Sequence, residues 1–204
     1  EIGVDLGFRR CGLLYLSDDE AQIAGWAKWH DFARGAGVHT QMLSAAEATA
    51  RGAATGKSWK GGVFSPTDGV ADPERAAPVM ALGVMRAGGT VHQFCAARGL
   101  ERAGGRVSGV VTEAGVTRTG TVVLAGGAWA SSFLNQYAIR FPQASVRASI
   151  LAVASRAGLP EALHTTGVSV TRRSEGSYAL AISGGARVDP TPQQLRFARQ
   201  FVPM

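Results

Sequence analysis

The sequence predicts a mixed α/β fold, an open sheet carrying inserted antiparallel pieces, and three observations predict it. Capped helical segments with apolar faces alternate with short apolar runs. Two glycine turns, Ala103-Gly104-Gly105 and Glu113-Ala114-Gly115, divide one stretch into a meander. A fully apolar run, Thr121–Ala125, has the character of a buried parallel strand and leads straight into paired glycines. The chain is large enough for such a fold: 204 residues, 46% hydrophobic and 18% charged, can bury a sizeable core and exclude a disordered tail. Its 27 glycines follow no Gly-X-Y period, which excludes collagen.

Arg10–Leu16 is an apolar run ahead of a helix cap and reads as the first strand. Ser17 with Glu20 has capping-box spacing, and Ile23, Trp26, Ala27 and His30 then share one helical face. Ser44 with Glu47 repeats the device, with the helix stopping near Gly52 or Gly56. Asp72-Pro73 is an N-cap followed by proline at the first helical position. Behind it Ala76, Met80, Val84 and Ala87 fall on one face before Gly88-Gly89, which predicts Met80 and Val84 in the interior.

Thr90–Cys95 reads as a strand. Gly99–Arg102, Arg106–Thr112 and Val116–Thr119 form the meander, and Thr121–Ala125 should join a mostly parallel sheet with Val122, Val123 and Leu124 buried. Val146–Val153, Val168–Arg172 and Tyr178–Ile182 suggest a separate antiparallel sheet turning at Ser174-Glu175-Gly176. Thr191-Pro192 with Gln194 opens a last helix that Pro203 would close.

Charge and motif content exclude several functions. Lys and Arg total 21 against 15 Asp and Glu, a formal charge of +6, but the arginines are scattered and no aromatic residues interleave a basic stripe. Nucleic acid is therefore not an expected partner. No run approaches the ~18 apolar residues of a transmembrane helix. Cys11 and Cys95 cannot build a disulfide framework or a zinc cluster and read as reduced thiols of a cytoplasmic protein. His30, His39, His92 and His164 lack partners at metal spacing, so no metal site is expected. Neither GxSxG, GxGxxG nor a phosphate-loop motif occurs.

Two stretches remain. Val122–Leu134 runs from a strand through Gly126-Gly127 into a helix. Glycine there lets a ligand approach the backbone, and the following helix start favours an anion, although the same pattern also makes a plain turn. Trp129 opens that helix as either a packing anchor or a cover for a ligand. Ser65-Pro66-Thr67-Asp68-Gly69 is a compulsory loop that leads into the Asp72 cap.

Taken together, these stretches resemble one family. Gly62–Pro73 is similar to the G-x-[YF]-[ST]-P-x-[DE]-G-x-[VA]-[DE]-P segment of the glycine oxidase and D-amino-acid oxidase-like flavoenzymes, and Thr121–Trp129 to their D-x-V-V-L-A-[AG]-G-A-W segment. The intervening GRVSGVVTEAG at residues 105–115, the Phe8–Leu16 block and the Val168–Ile182 block extend the resemblance over nearly the whole chain. It implies an incomplete FAD-binding Rossmann-like domain with its antiparallel meander, plus part of an antiparallel-sheet substrate domain. Residues 1–64 would be substrate domain, 65–142 FAD domain and 143–204 substrate domain again.

By this resemblance Ala97 falls where the family holds adenine through backbone groups. Ala125, Gly126 and Gly127 fall on the turn beside the cofactor, Trp129 on the family tryptophan, and Arg172 on an arginine of the substrate domain. The implied activity is FAD-dependent oxidation of the carbon–nitrogen bond of a small amino or imino acid. The departures matter as well. The family's GxGxxG would lie before Glu1 and its carboxy-terminal part after Met204, so the chain reads as a portion of something longer. Val168 replaces a tyrosine of some members, Thr171 a proline, and Val146-Arg147-Ala148-Ser149 departs from V-[RK]-G-[QE]. A non-catalytic fragment or scaffold, or an unrelated α/β binding module, remains the alternative, and no catalytic residue is assigned.

Overall fold

A computed structural model describes residues 2–155, 157–183, 187–189 and 191–201. In chain order the elements begin with β1 (Leu13–Ser17), α1 (Glu20–Gly35), β2 (Gln41–Leu43), α2 (Ala45–Arg51), β3 (Gly61–Ser65) and α3 (Pro73–Arg86). There follow β4 (Ala97–Ala103), β5 (Arg106–Thr112), β6 (Gly115–Arg118) and α4 (Ala130–Asn135). The last are β7 (Ile150–Val153), β8 (Ala162–Thr165), β9 (Val168–Arg172), β10 (Tyr178–Ile182) and α5 (Pro192–Phe201). The chain divides into two compact units, Glu1–Gly89 with Ala148–Gly185, and Thr90–Arg147 with Ala186–Met204.

The first unit is built on one seven-stranded sheet in the order β2-β3-β1-β8-β9-β10-β7. Every neighbouring pair is antiparallel except β1 and β8, which run parallel with Leu14 opposite Leu163. The late strands therefore do not form the separate sheet expected; they extend the sheet begun by β1. The reason lies in β1 itself, where Leu14 and Leu16 are 3% and 0% exposed and need apolar neighbours on both sides. Leu43, Ala48, Trp59, Leu163, Val170 and Tyr178 close around them as the core. Gly62 is obligatory in this packing, because a Cβ there would lie 2.4 Å from the Tyr15 carbonyl oxygen and 3.0 Å from Leu16.

Helix starts follow local chemistry. Ser44 and Glu47 form the expected capping box, and Asp72 accepts from the Glu74 amide ahead of Pro73. Thr191 and Gln194 cap α5 reciprocally, whereas the expected stop at Pro203 lies outside the described residues. The first helix differs. Ser17 is paired with Gly61 as the last residue of β1, so Asp19 caps α1 instead, accepting from Ala21 N at 2.9 Å. Ile23, Trp26, Ala27 and His30 do form the half-buried face of α1.

The second unit contains the meander β4-β5-β6 as a three-stranded antiparallel sheet. Gly104 and Gly105 both take positive φ, 57° and 76°, as the tight turn between β4 and β5 requires. Three expectations fail here and in α3. Thr90–Cys95 and Thr121–Ala125 carry no strand, and Val123 and Leu124 are 86% and 37% exposed. A strand forms only where a neighbour takes up its N–H and C=O groups, and no described residue pairs with either run. Met80 and Val84 are also exposed, because α3 turns Ala76 and Val79 inward and sets Gly83 against Ile2, a face rotated by one residue from the expected one. Between Val146 and Val153 only Ile150–Val153 is strand; Arg147 instead bridges to Arg187.

This core sets the expected costs. Leu16→Ala should lose about 2–5 kcal/mol in chemical denaturation, since it opens a fully enclosed site. Ser44→Ala should lose about 0.5–2 kcal/mol through its cap alone. A Leu16→Ala variant as stable as the parent would contradict the packing.

Candidate functional site

In the first unit, the loop after β3 is stitched to the segment before β1. Gly12 N donates to Asp68 O at 2.9 Å, and Arg9 and Val70 exchange backbone hydrogen bonds at 2.8 and 2.9 Å. The Phe8–Leu16 and Gly62–Pro73 stretches, singled out separately in the sequence, thus lie side by side. Asp72 closes the loop, and its carboxyl is held below the ordinary range mainly by the Ser174 hydroxyl, against its desolvation.

Arg172 belongs to a charge cluster beside this loop. Glu161 Oε1 lies 3.1 Å from Arg172 Nη1, and Glu161 Oε2 lies 3.0 Å from Arg9 Nε. The Arg172 amide donates to Glu161 O at 2.7 Å, and Arg9 Nη2 donates to the Arg172 carbonyl. Arg9 chiefly, then Arg172, pulls the Glu161 carboxyl below its ordinary value against the effect of burial. Cys11 lies close by, and its thiol is pushed up by burial first and by Glu161 second, which makes it a poor nucleophile. Glu161 did not stand out in the sequence, nor did its pairing with Arg9, since the contact joins residues 152 positions apart.

In the second unit, Ala125–Trp129 forms a turn rather than the end of a strand. Gly127 has φ 50° with no atom within 4 Å of where a Cβ would stand, and Trp129 N donates to Gly126 O at 3.0 Å. Gln143, which sequence reasoning passed over, fixes this turn. Its Nε2 donates to Gly127 O at 2.7 Å, and its Oε1 accepts from Ser131 N at 3.1 Å. Trp129 is 77% exposed. Ala97 sits exposed at the start of β4, opposite Thr112. Tyr137, shortly after α4, bonds the Leu100 amide and ties the Gly127–Tyr137 segment to the same strand as Ala97. Arg172 lies in the first unit and is not part of this group. Among the described residues no three His, Cys, Asp or Glu side chains gather as a metal site. No described helix is long and apolar enough to cross a membrane.

Comparison with known proteins gives these features a family. The sequence matches the DAO family, FAD dependent oxidoreductase, over residues 1–202. The chain belongs to this family of FAD-dependent oxidoreductases. No curated protein matched. Among solved structures, the chain is similar to L-amino acid deaminase from Proteus vulgaris, at 27% identity and a TM-score of 0.88 over 99% of this chain and 48% of that one. It is similar to the Proteus myxofaciens L-amino acid deaminase in complex with anthranilate, at 27% identity and a TM-score of 0.91 over 100% and 47%. Glycine oxidase from Bacillus cereus shares the fold at 20% identity and a TM-score of 0.73, over 98% and 56%. This chain of the FAD-dependent oxidoreductase family spans about half the length of the structures it matches.

The charge cluster makes a pH-dependent prediction. Because the folded state holds Glu161 below its ordinary value of 4.5, its contribution is full above that pH and is lost as pH falls through the lower folded-state value. Half-exposed pairs of this kind contribute about 0.2–1 kcal/mol each. Glu161→Gln should lower Tm at neutral pH and converge on the parent in acid. A deficit that persists below the folded-state value would contradict this.

Proposed function

We propose that the chain is part of a flavoenzyme that oxidises the carbon–nitrogen bond of a small amino or imino acid. The observation that carries this reading is the similarity to Proteus L-amino acid deaminases across essentially the whole chain. Bound FAD would supply the hydride acceptor for the carbon bearing nitrogen, and the imine so formed would take up water to give an oxo acid and ammonia or an amine. A neutral amine can lose hydride directly, so no acid or base of this chain is required.

The chain's own residues orient and bind. Residues 65–142 contribute to the FAD domain, and residues 1–64 and 143–204 to the substrate domain. Ala97 holds adenine through its backbone N–H and C=O. Ala125, Gly126 and Gly127 let the cofactor approach the backbone, supported by the open space over Gly127, and Trp129 covers it. Arg172 is the substrate-side residue of this chain: Glu161 fixes its guanidinium through Nη1, which supports presentation of the rest of the fork. Free Cys11 and Cys95 suit a reducing compartment such as the cytoplasm.

The natural full-length protein should show flavin absorbance that bleaches anaerobically with a small amino or imino acid. Purified protein that is colourless after flavin addition would overturn the reading. In the flavin-loaded protein Trp129→Ala should weaken cofactor retention or shift the flavin spectrum; no change in either would make Trp129 an ordinary surface residue. The 204-residue chain alone should hold FAD poorly. Neutral hydrogen bonds contribute about 0.5–1.5 kcal/mol each, and three fall short of the ~8 kcal/mol of micromolar affinity. A yellow fraction emerging from a desalting column, reducible by an amino acid, would contradict that expectation.

A further inference from the structure

We infer that a cavity of the first unit, separate from the Arg9–Glu161–Arg172 cluster and from the Gly126–Gly127 turn, binds a primary alkylammonium cation. The cavity, about 320 Å³, lies where α1 crosses β1 and β3 and is lined by Leu13, Tyr15, Trp26, Trp29, Ser65 and Asp68. Tyr15 and Trp26 meet edge to face with centroids 5.9 Å apart, and the His164 ring braces the other side of Tyr15 at 5.2 Å. Trp29, 45% exposed, stands on the same helix one turn from Trp26. Three electron-rich rings around an apolar space attract a cation, and indole does so most strongly.

The polar groups decide the sign and type of the ligand. Asp68 is half-buried, and its carboxylate has no ion-pair or hydrogen-bond partner among the described residues. Apart from exposed Asp31, every other described carboxylate has one: it pairs with a base, caps a helix or accepts from a hydroxyl. Asp68 and Asp31 alone among the described carboxylates thus lack any protein partner, and of the two only Asp68 lines this cavity. Ser65 is only 3% exposed and lines the same cavity, and its hydroxyl too has no partner among the described residues. A carboxylate and a hydroxyl that no described protein group engages, both lining an apolar space, favour a ligand with N–H donors that carry positive charge. An alkylammonium supplies these to Asp68 and Ser65 and lays its chain against Leu13 and the indoles. An anion would meet Asp68, and a neutral alkane would leave both acceptors bare.

The test titrates n-butylammonium chloride into the natural full-length protein at low ionic strength and follows the indole N–H resonances. Trp26 and Trp29 should shift saturably with millimolar affinity, while Trp59, buried in the core on the opposite face of the sheet, stays fixed. n-Butanol, equal in length and uncharged, should bind at least tenfold more weakly. Asp68→Asn, a substitution suited to the turn, should weaken n-butylammonium at least tenfold and leave n-butanol unchanged. Trp29→Leu at the exposed rim should also weaken the cation and supplies a second variant if Asp68→Asn disturbs the Trp59 resonance. Equal responses to n-butylammonium and n-butanol, or none at all, would overturn the assignment. So would cation affinity that survives both substitutions. None of these readouts depends on flavin or turnover, so failure here is separate from failure of the proposed oxidation.

Discussion

The parallel pairing of β1 with β8 is the contact on which the first unit depends. Residues 13–17 and 162–165 are far apart in sequence, and between them the chain leaves to build the second unit. Leu14, Leu16 and Leu163 are all almost wholly buried at that seam, so the two halves of the sheet share one core and cannot be stable separately. Long-range pairing of this kind closes a large loop before it returns any contact energy. The core must therefore be apolar and tight, and Gly62 and Trp59 show that it is.

The same seam positions the chemistry of the first unit. With β8 beside β1, Glu161 at the entry to β8 reaches both Arg9 before β1 and Arg172 at the end of β9. The aromatic cavity lies on the other side of the same strands, where alternate residues of β1, Leu13 and Tyr15, face α1. One strand thus supplies a packed face and a cavity-lining face. In the second unit a different device holds the glycine turn, a single glutamine amide that satisfies the Gly127 carbonyl and the Ser131 amide together.

Local chemistry was legible in the sequence, and long-range partnership was not. The capping residues Ser44, Asp72 and Thr191, the half-buried face of α1 and the Gly104-Gly105 turn all follow from spacings of a few residues. The two motifs that carry the family resemblance were equally visible, and the family followed from them. Ser17 misled because a buried strand end has the same spacing to Glu20 as a cap. Thr121–Ala125 misled because an apolar run states what a strand needs without naming its neighbour. Glu161 and Gln143 left no local signal, since each acts on residues distant in sequence.

The central physical claim is that apolar runs in this chain become strands only where a paired neighbour exists. Amide hydrogen exchange of the 204-residue chain, resolved by residue, tests it most directly. Amides of Leu14–Leu16 and Leu163–Thr165 should exchange together and only through global unfolding, while residues 91–95 and 121–125 exchange quickly. Protection of residues 121–125 equal to that of β1, or separate exchange of β1 and β8, would contradict the account.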